Sequence, residues 1–416
     1  MKFEYFIAKR LYKKPKSNKT QSSTRPIVRL SLIGISLSLA VMLMAVSIMM
    51  GFKRDVRKYA YSTTGNLVIY KYGSSVNNAQ EPIRAPHELL RLLKKTPGVK
   101  DTYPIIYQPG IFKTDSLFEG AIFLGVDDTF KSAYFSDNLT QGSFDLKDNS
   151  DEPVNPILIT KEVAHKINAK IGDKIKGYFF TTKIKVRAFT VRGIYESGGV
   201  DTAPILCNIN TLRRVNGWDQ DQVVRIMINV DNAYNPLTVA NDIINKLKER
   251  QDLLFDNTLT INSAEEISPE IFSWLDMLDS NIILLLTLLI IVSGFTMITG
   301  LIILVLDNTT TIGVLKSLGA SNGSIQKIFI TLSGMLVGKA LVFGNLIAFT
   351  LCMVQKYGRI IKLNPETYFM NAVPIQFDLV AWILINAGTL ILIMLMIWGP
   401  SKIIYKITPA QTMKFD

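Results

Sequence analysis

Residues 30–52 read LSLIGISLSLAVMLMAVSIMMGF, without a single charge. A membrane-crossing helix needs about 20 consecutive apolar residues, and this stretch supplies them. It is too long for the apolar region of a cleaved signal, and no small-residue cleavage site follows it. A retained transmembrane helix is therefore expected over 27–52. Working outward, 281–306 and 379–400 hold two more uncharged runs, and 328–354 holds a fourth that carries Lys339 near its middle. The expected fold class is a membrane protein with four transmembrane α-helices and a large α+β extracytoplasmic domain.

Composition agrees with a mixed architecture. Of 416 residues, 48% are hydrophobic and 19% charged, too apolar for an ordinary soluble chain and too polar for one lying wholly in lipid. The net charge of +12 crowds at the ends of the expected spans rather than in one stripe, which points to anionic lipid and away from nucleic acid. The first 29 residues hold nine Lys or Arg against Glu4 alone, which places the N-terminus, and after four spans the C-terminus, in the cytoplasm. Within the cytoplasmic segment 1–26, Phe3, Phe6, Ile7 and Leu11 recur at helical spacing among Lys2, Lys9, Arg10, Lys13 and Lys14. This pattern suits a helix lying on the inner membrane face, or a terminal helix packed on the protein.

Residues 53–280 form the expected extracytoplasmic domain. Strand signals at 66–72 and 99–107 flank a helix at 86–95, and strands at 223–230 and 258–262 flank a helix at 237–250. Two similar βαβ-like units thus bracket a strand-rich middle. Two subdomains follow, one from 60–110 with 220–265 and one inserted over 110–220.

No catalytic constellation is present in the sequence. There is no GxxxxGK[ST] phosphate loop, no GxSxG, and no HExxH, with only His87 and His165 in the chain. Cys207 and Cys352 form no ligand cluster. The chain is not expected to be an enzyme or to hold a cofactor of its own.

The cytoplasmic loop 307–327 reads TTTIGVLKSLGASNGS over 309–324. Ile312, Leu315 and Leu318 are assigned to one face of a short helix, Gly319 to its left-handed stop, and Ser321 to the cap of the next helix. Such a helix could plug into a partner's groove, and a simple connector fits the residues equally well.

IGVLKSLGAS resembles the coupling-loop signature EIGxLKALGAS of the four-span ABC permeases, a family that includes MacB, FtsX and the lipoprotein-releasing pair LolC and LolE. The ending GPSKIIYKITPAQTMKF, the N-terminal FIAKRLY, FTVRGIYESGGVDT at 189–202 and ETYFMNAVP at 366–374 resemble the same family. The last three are closest to its lipoprotein-releasing branch. Thr311, Gln411 and Lys414 depart from the Glu, Glu and Arg usual there, and the stretch 177–185 is short where that branch carries a Pro-rich hook that recruits a carrier.

The resemblance implies a permease that extracts lipoproteins from the outer leaflet of the inner membrane. Its partners would be an ABC ATPase dimer that binds ATP and Mg, a second permease, the lipoprotein, membrane lipid and a periplasmic carrier. Ile312, Gly313, Leu315, Lys316, Leu318 and Gly319 would couple to the ATPase. At about 0.8 kcal/mol per methylene, three acyl chains hold on with roughly 35 kcal/mol, so an apolar receiving cavity is required. Met42, Val46, Met49, Phe52, Ile282, Leu285, Tyr368 and Phe369 are its candidate lining, with Met supplying adaptable surface. Lys339 is expected to snorkel or to make a polar contact inside the bundle, and Gly334 and Gly338 form a GxxxG suited to close helix approach. Two other readings within the family fit less well. FtsX-type regulators have a smaller external domain, and MacB-type efflux chains carry their ATPase in the same polypeptide.

Overall fold

The computed structural model describes residues 3–13, 24–73, 81–113, 118–147, 154–181, 183–197, 203–250, 259–363, 370 and 372–406. Helix α1 (Phe3–Lys13) precedes α2 (Thr24–Thr64). Then come β1 (Leu67–Lys71), β2 (Ile83–Arg84), α3 (His87–Lys94), β3 (Val99–Lys113), β4 (Phe118–Val126), α4 (Ala133–Asp137) and β5 (Leu139–Gly142). The middle continues through β6 (Pro156–Thr160), α5 (Lys161–Lys166), β7 (Lys174–Phe180), β8 (Ile184–Tyr195), β9 (Ile205–Asn208) and α6 (Ile209–Asn216). Next are β10 (Gln222–Val223), β11 (Arg225–Val230), α7 (Pro236–Glu249), β12 (Leu259–Ser263) and α8 (Ala264–Ile267). The chain closes on α9 (Pro269–Asp307), α10 (Thr309–Ser317), α11 (Asn322–Gly358), α12 (Leu379–Trp398) and a 3-10 turn, Pro400–Lys406.

The chain divides into a helical unit and a mixed unit. The mixed unit takes Arg54–Leu275 together with Lys362 and Ala372, which pair as an isolated antiparallel bridge. Its strands β12-β1-β11-β3 lie side by side in that order, all antiparallel, with α3 and α7 as the two crossovers. This is the split βαβ arrangement, two βαβ units interleaved so that each supplies alternate strands. Strand β3 then serves twice. Val99–Ile105 pairs with β11, whereas Ile106–Lys113 pairs with β4 and β7.

Beyond that switch the strands close on themselves. β3 pairs β4, β4 pairs β9, β9 pairs β6, β6 pairs β8, β8 pairs β7, and β7 returns to β3. Alternate residues point inward, and Phe112, Phe123, Phe179 and Phe189 fill the interior with ring centroids 4.9–5.9 Å apart. The split βαβ strands come from Leu67–Ile105 and Arg225–Ser263, and the closed strands from the chain between them. They share β3 and one apolar cluster that runs from Leu67 and Ile228 to Phe179 and Phe189.

In the helical unit, α2, α9, α11 and α12 are each long and apolar enough to cross a membrane. At 1.5 Å per residue, α2 is about 60 Å long, twice the thickness of a hydrocarbon core, so it runs on well past the apolar stretch that ends at Phe52. Small residues let these helices touch. A Cβ on Gly344 would lie 2.8 Å from the Ser36 carbonyl oxygen, and one on Gly34 would lie 3.2 Å from the Thr296 methyl. The expected GxxxG contact is not among them within this chain, because Gly338 faces open space and Gly334 has only the Met394 side chain near it.

Candidate functional site

The loop between α9 and α11 folds as the helix α10 and stops as its residues dictate. Gly319 adopts φ +88°, and the Gly319 and Ala320 amides donate to the Lys316 and Leu315 carbonyls at 3.0 and 2.9 Å. This is the paired bonding of a glycine-terminated helix, available at low cost only to a residue without a Cβ. Ser321 then caps α11, its hydroxyl accepting from the Ser324 amide at 3.2 Å.

The side chains divide differently from the expected single face. Ile312 is fully buried, packed with Ala8, Val305, Ile325, Ile328 and Phe329, and Gly313 is buried beside it. Leu315 is partly packed on the same cluster and Lys316 is half-buried. Leu318 is 79% exposed and Val314 48% exposed. The physical reason is helical drift. Steps of three residues rotate by about 60° each, so Leu318 lies about 120° from Ile312, whereas Val314 and Leu318, four apart, share the opposite face. Ile312 anchors the helix to the bundle, and Val314 with Leu318 is the surface it offers outward.

The expected cavity residues separate in the same way. Met42, Met49 and Phe52 are buried, and Val46 is half-buried. Met42 packs with Leu39, Leu43, Ala348, Leu286 and Trp382. Their helical spacing marks the packing face of α2, closed over by the segments packed around it. Gly51 explains part of that closure, since the Pro374 carbonyl lies where its Cβ would be, and the Gln376 amide donates to the Ser47 carbonyl at 3.0 Å. Ile282 is half-buried, and Leu285 belongs to an exposed apolar face of α9 with Ile283, Leu284, Leu288 and Ile291. Tyr368 and Phe369 lie outside the described residues. Lys339 is exposed on α11.

Polar residues that the sequence reading passed over tie the helical unit together. Asn345 and Asn386 donate to each other's side-chain oxygens at 2.6 and 3.1 Å, and the Trp382 indole donates to Asn345 Oδ1 at 2.5 Å. At the other end of α11, Gln326 donates to the Ser401 hydroxyl at 2.6 Å and accepts from the Tyr405 hydroxyl at 2.8 Å. Gln355 holds the connection between α11 and α12 at both sides, donating to the Ile361 and Val373 carbonyls and accepting from the Ile361 amide. The signal for all three was a long polar side chain inside or at the rim of an apolar run, where an unpaired amide is costly.

In the mixed unit, the titratable groups inside the core serve structure. Burial pushes the Tyr107 phenol up to about 12, partly offset by the Arg225 guanidinium 5.0 Å from its ring, and the phenol donates to the Thr63 carbonyl at 2.5 Å. Burial likewise raises the Cys207 thiol, leaving it protonated and inert. Among the described residues no group of three or more His, Cys, Asp or Glu is placed to hold a metal. The β7–β8 hairpin, over the stretch 177–185 noted above as short, carries exposed Phe180, Ile184 and Val186, and Phe118 is exposed at the start of β4, on the far side of β3 from β7. Those residues were hidden among ordinary strand signals.

Comparison with known proteins gives consistent matches along the chain. The family model for the MacB-like periplasmic core domain matches residues 30–246, and that for the FtsX-like permease C-terminal region matches residues 282–409. A lipoprotein-releasing system transmembrane protein LolC from Xylella fastidiosa (strain 9a5c) is 21% identical over 409 residues, covering 93% of each chain. A LolE counterpart from Haemophilus influenzae is 21% identical over 410 residues, 93% of this chain and 94% of its own. The crystal structure of the periplasmic region of MacB from Actinobacillus actinomycetemcomitans superposes with a TM-score of 0.37 at 15% identity, over 50% of this chain and 94% of that one.

Proposed function

The chain belongs to the ABC permease family built from a MacB-like periplasmic core domain and an FtsX-like permease region, and on that premise we propose that it releases lipoproteins. In this reading it sits in the bacterial inner membrane with both termini in the cytoplasm. It extracts lipid-anchored proteins from the outer leaflet, driven by a separate ATPase dimer that binds ATP and Mg. The observation that carries the reading is collinearity: relatives named for lipoprotein release align over 93% of the chain, through both the external domain and the four spans.

Exposure and packing support a division of parts within that reading. Val314 and Leu318 form the surface for the ATPase, and Ile312 passes its movement into α1 and α11 through the shared apolar cluster. The exposed face of α9, from Ile283 to Ile291, is the surface that receives acyl chains, completed by a second permease. Such a surface offsets the cost of drawing several acyl chains out of lipid. Phe180, Ile184 and Val186 on the β7–β8 hairpin are where a periplasmic carrier would dock.

The experiment is reconstitution of the complex in proteoliposomes with a lipoprotein and ATP. Leu318→Asp is expected to leave the chain folded and ATP hydrolysis present, with release reduced about tenfold or more. Release at the parent rate by Leu318→Asp together with Val314→Asp would remove the coupling assignment. Failure of the parent complex to release any lipoprotein would remove the function.

A further inference from the structure

Exposed cations and aromatics collect at one end of the helical unit. Helix α1 packs on α11 through Ala8, Ile7 and Leu11, inside the cluster that also holds Ile312, Ile325, Ile328 and Phe329. Its other side exposes Tyr5 and Phe6, 42% and 52% exposed, together with Lys9 and Arg10. Lys327 is exposed in the same early turns of α11. The end of α12 is fixed at that level by the bond from Gln326 to Ser401, and there Lys402 lies 4.7 Å over the ring of exposed Trp398. Arg29 is exposed at the start of α2, two residues before Ser31, which meets α9 at Thr296 and Gly300.

At this level α1, α2, α11 and the end of α12 therefore present cations, with exposed Tyr5, Phe6, Leu30 and Trp398 among them. The level is also where the apolar runs begin, since Ile328 opens that of α11. Aromatics seek the boundary between hydrocarbon and headgroups, and Lys and Arg there attract anionic lipid. A helix packed on the protein by one side and bearing Tyr, Phe, Lys and Arg on the other has a definite complement, a negatively charged bilayer surface.

We propose that α1, with Lys327, Lys402 and Arg29, is a binding site for anionic phospholipid headgroups of the inner leaflet, and that the bound lipid steadies the seat of the coupling helix. The link to coupling is direct packing. Ala8 of α1 and Ile312 of α10 belong to one cluster, so fixing α1 against the bilayer holds one wall of the pocket in which Ile312 sits. The proposal rests on the permease reading for its orientation, but its first test needs neither ATP nor a lipoprotein.

The full chain, with Phe6→Cys carrying an environment-sensitive fluorophore, would be reconstituted in phosphatidylcholine vesicles titrated with phosphatidylglycerol. Cys207 and Cys352 are buried, which leaves the new thiol to react. The fluorophore is expected to move to an apolar environment as phosphatidylglycerol rises, and to return as salt is added. In Lys9→Gln with Arg10→Gln, two exposed cations are lost at about 1 kcal/mol each, a roughly thirtyfold weaker response that moves it out of the titration range. Both positions are exposed, so the helix should still pack, and unchanged far-UV circular dichroism and elution volume verify that. In the reconstituted complex the same double variant should lose the stimulation of lipoprotein release by phosphatidylglycerol while keeping its basal rate.

A fluorophore equally wet in neutral and anionic vesicles would overturn the site. So would a response that inorganic phosphate reproduces, or one that survives the double substitution. Anionic-lipid binding without any effect on release would overturn the link to coupling. Failure of all release in every lipid, with the fluorophore response intact, would count against the permease reading and leave the lipid site standing.

Discussion

Replacing Gly51 by Ala sets a feature of the tertiary structure against a feature of the sequence. A Cβ at Gly51 would lie 2.7 Å from the Pro374 carbonyl oxygen, 2.8 Å from its carbon and 3.1 Å from the Ile375 nitrogen, all backbone atoms. Ordinary contact begins near 3.4 Å, so about 0.7 Å must be found by moving main chain. That main chain is pinned one turn away by the Gln376 to Ser47 bond and from the other side by the Gln355 bonds. Overpacking of this kind costs about 1–3 kcal/mol, against which Ala recovers up to about 1 kcal/mol of helix propensity. The expected net loss is about 1–2 kcal/mol, or about a tenfold shift in the folding equilibrium. Gly338→Ala, where a Cβ meets nothing within 4 Å, is expected to be neutral or slightly stabilising. Denaturation of the monodisperse chain by SDS in mixed micelles measures both. If Gly51→Ala matches the parent, or if Gly338→Ala proves the more damaging, the packing of 374–376 on α2 is wrong and the GxxxG reading gains.

Asn386→Leu breaks the reciprocal amide pair and leaves Asn345 and the Trp382 indole to find other partners, a loss of about 0.6–2 kcal/mol in the same titration. Equal stability would mean that the clasp contributes nothing. A photo-crosslinking residue at Leu285 should capture lipoprotein in an ATP-sensitive way, whereas one at Ile391, exposed on α12, should not; equal capture would reduce the α9 face to ordinary lipid contact. An impermeant thiol reagent should label Asp219→Cys in intact cells and spare Ser317→Cys, and the reverse pattern would invert the topology. Cys207, buried with its thiol raised by burial, should resist thiol reagents in the folded protein through the neutral pH range and react only on unfolding.

Much of the architecture was legible because it rests on local signals. A run such as 30–52 is long and apolar enough to cross a membrane, and in lipid a helix is a form that satisfies its own backbone. The Gly319 stop and the Ser321 cap were readable because they depend on a few adjacent residues. The two βαβ units could be seen because strand and helix periods differ, although the closure of the middle strands into a ring could not. Closure depends on β3 switching partners at Ile105 and Ile106, a pairing between segments more than 100 residues apart in the case of β11.

Which side of a helix faces the protein was decided by tertiary structure alone. The apolar residues of α2 and α9 look alike in sequence, because a residue that faces lipid and a residue that packs on a neighbour are chosen for the same hydrophobicity. Met42 and Met49 proved to be packing residues, while Leu285 and its neighbours remained open. In α10 the three apolar positions share a spacing but not a face, so Ile312 anchors while Leu318 projects. Sequence by itself determined that these segments are helices and that they belong to an ABC permease, but not that α2 runs on to Thr64 or that α9 begins at Pro269. Contacts between distant segments, such as Pro374 over Gly51 and Asn345 against Asn386, decided which residues are spent on packing and which are left for partners.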